Sequence, residues 1–399
     1  MMDVAKIKED FPIFKKRKII YLDNAASTQK PIQVINEIVD FYENHYSNIH
    51  RGLHILSQEA SEIYEESKKI VANFINAYSW REIIYVRNTT EAINLIANTL
   101  PLNKGDKVVT TIMEHHSNFL PWLRLKKLKK IQLEIVDINE EQELDMNDLE
   151  KKAKDAKVIA VTFVSNVLGN INDLKEIRRI ADENASILIV DGAQGVPHLL
   201  TNVKRMKVDF LAFSAHKMLG PSGIGILYGK EELLEELDVF LVGGGMIKDV
   251  RMDEFVPAEL PWKFEAGTPF IEGAVGLKAA IEYLTTVGME NIEKHERELI
   301  KLLVDGLEEQ NIEYYGSRNI KKRSSLVSFN IKGIHAHDVA EYLNYKHIAV
   351  RSGLHCAHPL HRRLNIPASV RASVYLYNNE EDIIALLDAL KRLIKELNI

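Results

Sequence analysis

Apolar residues recur along this chain in two rhythms. Runs of strand length stand at 83–86, 108–112, 158–164, 187–190, 210–213 and 224–228. Several are apolar on both faces, which predicts a mostly parallel sheet covered by helices. Between the runs the period lengthens to that of a helix. Over 57–77, Ile63, Tyr64, Ile70, Val71 and Phe74 keep one face apolar. Pro31 opens a helix to about residue 42, and Asn88-Thr89-Thr90-Glu91 leads into another over 92–100. Residues 1–18 read as a charged, amphipathic helix that docks elsewhere, and 19–22 as a strand entering the loop 23–28. From about residue 274 long charged helices take over, including 290–310. Residues 326–331 and 348–350 predict strands of a smaller sheet. A helix from Glu380, capped by Asn379, closes the chain with Ile383, Leu386, Leu387, Leu390 and Ile394 as its buried stripe. No repeat or low-complexity linker separates the two regions, so the second domain is expected to pack tightly on the first.

The polar clusters fall where the strand-like runs end: Thr89-Thr90, Glu114-His115-His116, Ser165-Asn166, Asp191-Gly192-Ala193-Gln194 and Ser214-Ala215-His216-Lys217. In parallel sheets the functional loops sit at those ends. Lys217 lies between two apolar runs, where an ammonium is costly unless it is used. It reads as a catalytic amine that forms a Schiff base, against the plain alternative of a surface lysine. Thr89 and Thr90, where strand turns to helix, offer N–H groups and hydroxyls to a phosphate, or are an ordinary helix cap. Asp191, 26 residues before Lys217, could hold a pyridine nitrogen protonated and make the ring an electron sink, or cap a helix. His115 could stack on that ring, or be a packed loop histidine. The glycines of Gly223-Ile224-Gly225 do not make a dinucleotide fingerprint, because Tyr228 stands where the third glycine belongs, and no Walker A sequence is present.

Composition narrows the partners. The 399 residues are 46% hydrophobic and carry a net charge of −6, which predicts two domains and no basic excess for nucleic acid or an anionic membrane. The pairs Lys126-Lys127 and Lys129-Lys130, set among leucines, fit the solvated face of a helix. No apolar run approaches the ~18 residues a membrane span needs, and the first residues lack a signal-peptide core, so a cytoplasmic address is expected. A single cysteine, Cys356, excludes an internal disulfide. Its loop, 351–359, is rich in Arg and His, and positive surroundings favour the thiolate. His355, Cys356, His358 and His361 are also spaced like soft metal ligands, but no further cysteine completes a usual structural site, so no metal is expected.

The motifs YLDNAAST, HRGLH, TTEAINL, MEHHSN, VSNVLGN, VDGAQGVPH, FSAHKMLGPSGIGILYG, FEAGTP and RSGLHCAHP run in this order from residue 21 to about 375. Together they resemble the cysteine desulfurases of the SufS type, in the aminotransferase class V group of fold-type I enzymes dependent on pyridoxal 5′-phosphate. The resemblance implies an α/β fold. A large domain, 19–275, would carry a mostly parallel seven-stranded sheet. A smaller α+β domain, 1–18 plus 276–399, would carry the cysteine loop. It also implies that Lys217 is the cofactor lysine, Asp191 pairs the pyridinium, Gln194 faces the ring hydroxyl and His115 stacks on the ring. Thr89, Thr90, Ser214 and His216 would hold the phosphate, with Thr268 reaching in from the other subunit of a homodimer. Asn166, at the border of cofactor and substrate, would hold the substrate carboxylate with Arg371, near Ala26 and Arg351. Cys356 would take sulfur from L-cysteine as a persulfide for an acceptor or iron–sulfur scaffold protein. The segment 243–262 would be a hairpin overhanging the neighbouring subunit. Two positions depart from the family pattern. Leu354 stands where a histidine is common, and Asn88 where a glycine is common. Related readings are a selenocysteine lyase, another class V enzyme such as an aminotransferase, or a catalytically silent scaffold of a sulfur-transfer complex.

Overall fold

The computed structural model describes residues 2–50 and 52–397. Its centre is a seven-stranded sheet in the order Ile83–Val86, Gly225–Gly229, Phe210–Ser214, Ile187–Asp191, Ala156–Thr162, Lys107–Thr111, Gln132–Val136. Gly225–Gly229 runs antiparallel to both neighbours, and the remaining pairings are parallel. Phe210–Ser214 and Gly225–Gly229 are buried throughout, as expected for strands apolar on both faces. Gln132–Val136 escapes the apolar-run pattern because it is an edge strand. Only Leu133 and Val136 are buried there, while Gln132 and Ile135 are exposed. The run 158–164 forms a strand only as Ala156–Thr162. Val164 leaves it to make an isolated bridge with Ile171.

The smaller sheet is antiparallel, in the order Glu313–Tyr315, Leu326–Asn330, Ser369–Ser373, Arg351–Gly353. One expectation needs correction here. Ile348–Ala349 does not join that sheet but pairs in parallel with Ile20–Tyr21. Leu22 and Ile348 are both buried in the apolar cluster of the small sheet and the terminal helix, so this short ladder closes one side of that cluster. The edge place in the sheet goes to the next residues, Arg351–Gly353.

The helices follow the predicted periods with shifted ends. Ile55–Phe74 is capped by the His54 side chain, and Ile32–Asp40 continues into a π-turn, Phe41–His45. Residues 1–18 do not form one helix. Pro12 cannot continue the first, so Phe11 is extended, and Val4–Glu9 and Pro12–Lys16 meet at that bend. Phe11 is buried there against Tyr377 and Tyr283. The closing helix, Glu380–Glu396, has a capping box between Asn379 and Asp382. Its buried stripe is Ile383, Leu386, Leu390 and Leu393, with Leu387 and Ile394 at the margin. Residues 247–257 form a hairpin of Ile247–Val250 with Phe255–Pro257, largely exposed. Arg51 of the HRGLH motif lies outside the described residues. Among the described residues, no helix is long and apolar enough to cross a membrane.

Candidate active site

The loops at the C-terminal ends of the large sheet open on one cavity of about 450 Å³, closed on its far side by strand and loop residues of the small sheet. Lys217 enters it from a tight turn, Ala215–Lys217, directly after the strand Phe210–Ser214. Burial pushes its amine down from 10.5 to about 8, against the pull of Asp191, with Arg371 adding to the fall. The strand-to-turn geometry thus supplies a lysine that gives up its proton far more readily than an exposed one, with a minor neutral fraction already present near neutral pH.

Asp191 ends its own strand beneath the same cavity. Its carboxylate is 3% exposed and accepts a bond from Ala193 N at 2.9 Å. Burial raises its pKa against the Ala193 bond and the more distant charge of Lys217, and no ion pair contacts it among the described residues. Such a group calls for a protonated nitrogen. His115 caps the helix His116–Leu128 and also lines the cavity. Its Nδ1 accepts from Ser117 N at 3.1 Å, which assigns the ring proton to Nε2. Burial and the Lys217 charge lower its pKa to about 3, so the ring is neutral.

The phosphate-type cradle is built at the start of the helix Thr89–Thr99. Ser214 Oγ accepts from Thr89 N at 2.9 Å and lies 2.7 Å from Thr89 Oγ1, while Thr90 Oγ1 meets Ser117 Oγ at 2.6 Å. His216 lies alongside, its pKa lowered to about 4 by burial and then by Lys217. Asn88 does not disturb the turn, because its backbone is fully extended (φ −176°), a conformation any residue adopts. Gly225 is what the turn needs. A Cβ there would sit 2.6 Å from Asn88 Cα. The strand that this glycine opens rules out a dinucleotide loop, which would lead into a helix.

The opposite wall brings Ala26, Asn166, Arg351, Arg371 and Cys356 to the cavity. Arg371 is 3% exposed, and its Nη1 donates to Asn166 O at 2.9 Å. Burial lowers its pKa to about 10, so it remains cationic. Arg351 is engaged by Asp23 through two nitrogens, Nε at 3.0 Å and Nη2 at 2.8 Å. Cys356 is exposed at the cavity wall. Its loop is held through its own carbonyls. Asn166 Nδ2 donates to His355 O at 2.7 Å, and His116 N to Cys356 O at 2.8 Å. His355 and Cys356 both have positive φ, 46° and 55°, a strained pair that these neighbours enforce.

Four cavity-lining atoms are buried without a hydrogen-bond partner among the described residues: Asn166 Oδ1, Gln194 Oε1, His355 Nδ1 and Arg371 Nε. Arg371 Nε would donate to a carboxylate, whereas the amide oxygens of Asn166 and Gln194 would accept from hydroxyl or N–H groups of a ligand. With the unpaired Asp191 and the Thr89–Ser214 cradle, the residues fit pyridoxal phosphate and an amino acid.

One predicted site residue lies elsewhere. Thr268 is exposed on a separate surface pocket with Arg87 and Phe270, away from Lys217. The four candidate metal ligands do not converge. His355 and His361 each face Ser369 Oγ, at 3.1 and 3.0 Å, and His358 faces His116 at 3.1 Å. Among the described residues, no group of three His, Cys, Asp or Glu side chains is placed to hold a metal. Leu354 offers only its carbonyl, to Ala357 N at 2.8 Å. Ser117 lines the cavity and Asp23 anchors Arg351 at its wall, two roles beyond the sequence expectations. Ser117 had a signal, two residues after His115 in a helix-opening cluster. Asp23 had none, because Arg351 is 328 residues away.

The aminotransferase class-V family profile matches residues 20–386. The chain is 46% identical over 394 residues to a probable cysteine desulfurase of Pyrococcus abyssi, covering 98% of each. It is 42% identical over 411 residues to a cysteine desulfurase of Haloferax volcanii, covering 98% of this chain and 96% of that one. Among solved structures, the apo cysteine desulfurase of Thermococcus onnurineus NA1 superposes with a TM-score of 0.96 at 43% identity, over 99% of both chains. The cysteine desulfurase CsdA of Escherichia coli, an S-sulfonic acid form, superposes with a TM-score of 0.92 at 34% identity, over 99% of both.

Proposed function

As a member of the aminotransferase class-V family, similar along its whole length to cysteine desulfurases, the chain is a pyridoxal-phosphate-dependent cysteine desulfurase, and we propose that Cys356 carries the sulfur away as a persulfide. The observation that carries this reading is the presence of Lys217, Asp191, Arg371 and Cys356 on one cavity.

When bound, pyridoxal phosphate supplies an electrophilic carbon and an electron-withdrawing ring. Thr89, Thr90, Ser214 and His216 would hold its phosphate, completed by Thr268 from a second subunit. Asp191 would keep the ring nitrogen protonated, Gln194 would face the ring hydroxyl and neutral His115 would cover the ring. Arg371 and Asn166 would hold the carboxylate of L-cysteine, with Ala26 and Arg351 lining the same side. Lys217 Nζ then holds and moves protons at the substrate Cα, a task suited to an amine lowered to about 8. The Cys356 thiolate attacks the substrate sulfur. The new S–S bond forms as the substrate Cβ–S bond breaks, and the bonding pair passes to carbon, which takes up a proton on the way to alanine.

The finer assignments belong to the same proposal. The exposed hairpin of 247–257 supports the SufS branch, and delivery to an iron–sulfur scaffold or other acceptor protein is the proposed use of the persulfide. Thr268, remote from its own cavity, supports a homodimer. The boundary between a large domain, 19–275, and a small domain, 1–18 plus 276–399, falls inside the helix Ile271–Val287, so the two are proposed to move as one body. The cytoplasm, which keeps thiols reduced, suits a sole cysteine that must stay free.

The test is single-turnover desulfuration with L-cysteine. Protein-bound persulfide and alanine are expected in equal amounts, and Cys356→Ala should abolish the persulfide while retaining visible cofactor absorbance. Full persulfide output from Cys356→Ala overturns the nucleophile assignment. Selenide release from selenocysteine by that variant, without sulfur release from cysteine, favours a lyase instead. A colourless protein that pyridoxal phosphate cannot reconstitute overturns the enzyme itself.

A further inference from the structure

The strand Ile83–Val86 is the outer strand of the large sheet, paired on one side only, with Gly225–Gly229. Its free side leaves backbone groups that need partners. They are met by a buried ion pair. Lys68 Nζ donates to Ile83 O at 3.1 Å and to Glu265 Oε1, and that same oxygen accepts from Tyr85 N at 2.7 Å. The second carboxylate oxygen accepts from Tyr64 OH at 2.9 Å. The two charged side chains are 0% and 6% exposed. Lys68 Nζ lies 4.0 Å from the centre of the Tyr85 ring, whose hydroxyl meets Ser67 Oγ at 2.7 Å. Both ends of the pair are thereby hydrogen-bonded, the condition under which a buried pair is tolerated.

The two partners come from different places. Lys68 is on the helix Ile55–Phe74, whereas Glu265 opens the turn that presents Thr268. That turn has few other anchors. Glu265 N donates to Trp262 O at 3.0 Å and Gly267 N to Gly244 O at 2.7 Å, but a Cβ on Gly243 or Gly244 would meet open space, and Gly267 and Thr268 are exposed. The strand gripped by the pair runs on, through Arg87 and Asn88, into Thr89 and the phosphate cradle of its own subunit.

We propose that the Lys68–Glu265 pair is a positioning element for Thr268, fixing its turn against the edge of the large sheet so that the threonine meets the cofactor phosphate of a neighbouring subunit. This rests on the reading that Thr268 serves the partner's site. An apolar pair would cover the sheet edge as well, but it would leave Tyr85 N–H and Ile83 C=O unmet and the turn untied. The charge pair joins edge and turn in one contact.

The test measures the equilibrium affinity of the apo dimer for pyridoxal phosphate, with melting temperature and sedimentation as controls. The variant is the paired replacement Lys68→Met with Glu265→Gln, which leaves no lone buried charge. The expected result is an affinity about tenfold weaker, the low end of what one hydrogen bond to a charged group contributes, with the dimer intact. Lys68→Arg should keep native affinity. Thr268→Ala should weaken binding similarly, and adding the paired replacement to it should cost nothing more. If Thr268→Ala weakens binding and the paired replacement does not, the positioning role is overturned while the Thr268 reading stands. If Thr268→Ala has no effect, that reading falls and takes the proposal with it. Effects that add, or that accompany dimer dissociation, make the pair a general stabiliser and overturn the proposal.

Discussion

Lys217 owes its reactivity to its place rather than to its neighbours in sequence. Desolvation at the foot of the cavity outweighs the opposing field of Asp191 and brings the amine to about 8. Raising the pH removes the proton and frees the nucleophile. The rate at which the apo protein captures pyridoxal phosphate should therefore rise and level off with a midpoint near 8 rather than 10.5, measured by stopped-flow absorbance. Arg371 supplies the other fixed charge. Its Nη1 is spent on Asn166 O, but Nε has no partner among the described residues and is available to a carboxylate. Arg371→Gln should lower kcat/KM for L-cysteine on the order of 100-fold, chiefly through KM, as expected for loss of a charge-assisted hydrogen bond.

Among the elements, the junction at Glu114 ties the most together. This fully buried carboxyl accepts from Thr111 Oγ1 and Asn118 Nδ2, each at 2.6 Å, and from Thr162 N at 3.0 Å. It thus joins the ends of two strands to the helix that His115 caps. Burial raises its pKa from 4.5 to about 8. The native state then holds a proton that the unfolded chain releases, so this group's contribution to stability is full below about 4.5 and is lost as pH rises to about 8. Glu114→Gln should flatten the fall in melting temperature over that interval. At the far end of the chain, the capping box of Asn379 and Asp382 satisfies first-turn N–H groups of Glu380–Glu396. Asn379→Ala should cost about 1 kcal/mol in denaturant unfolding and leave desulfuration unchanged.

At the scale of the whole molecule, the proposed dimer bears on two features of one subunit. On that proposal Thr268 of a partner completes the cavity, and the helix Ile32–Asp40 with the π-turn and residue that follow it exposes Ile35, Val39, Tyr42 and Tyr46, between 39% and 57% accessible. Apolar residues this exposed along one segment mark a contact with another chain. Sedimentation should find a dimer, and Val39→Glu with Tyr42→Glu should shift it towards monomer and weaken cofactor retention in parallel, since Thr268 would no longer arrive. A stable monomer with native affinity for pyridoxal phosphate would count against the shared site.

Much of this was legible in the chain itself, for a physical reason. Strands buried on both faces must be apolar throughout, so the inner strands of the large sheet announce themselves, and a polar cluster ending each one can lie only at the sheet's rim. That logic places Lys217, Asp191, His115 and the Thr89–Thr90 turn at the rim. It failed at Gln132–Val136, where an edge strand needs only half its residues apolar. It also failed at Ile348–Ala349, where a run of strand length says nothing about its partner. The tertiary structure alone decided pairings between distant residues: Asp23 with Arg351, Lys68 with Glu265, and the backbone clasp that holds Cys356 in a strained turn at the cavity wall. Local sequence reports what a residue prefers, whereas these contacts depend on which remote atoms fill the remaining space.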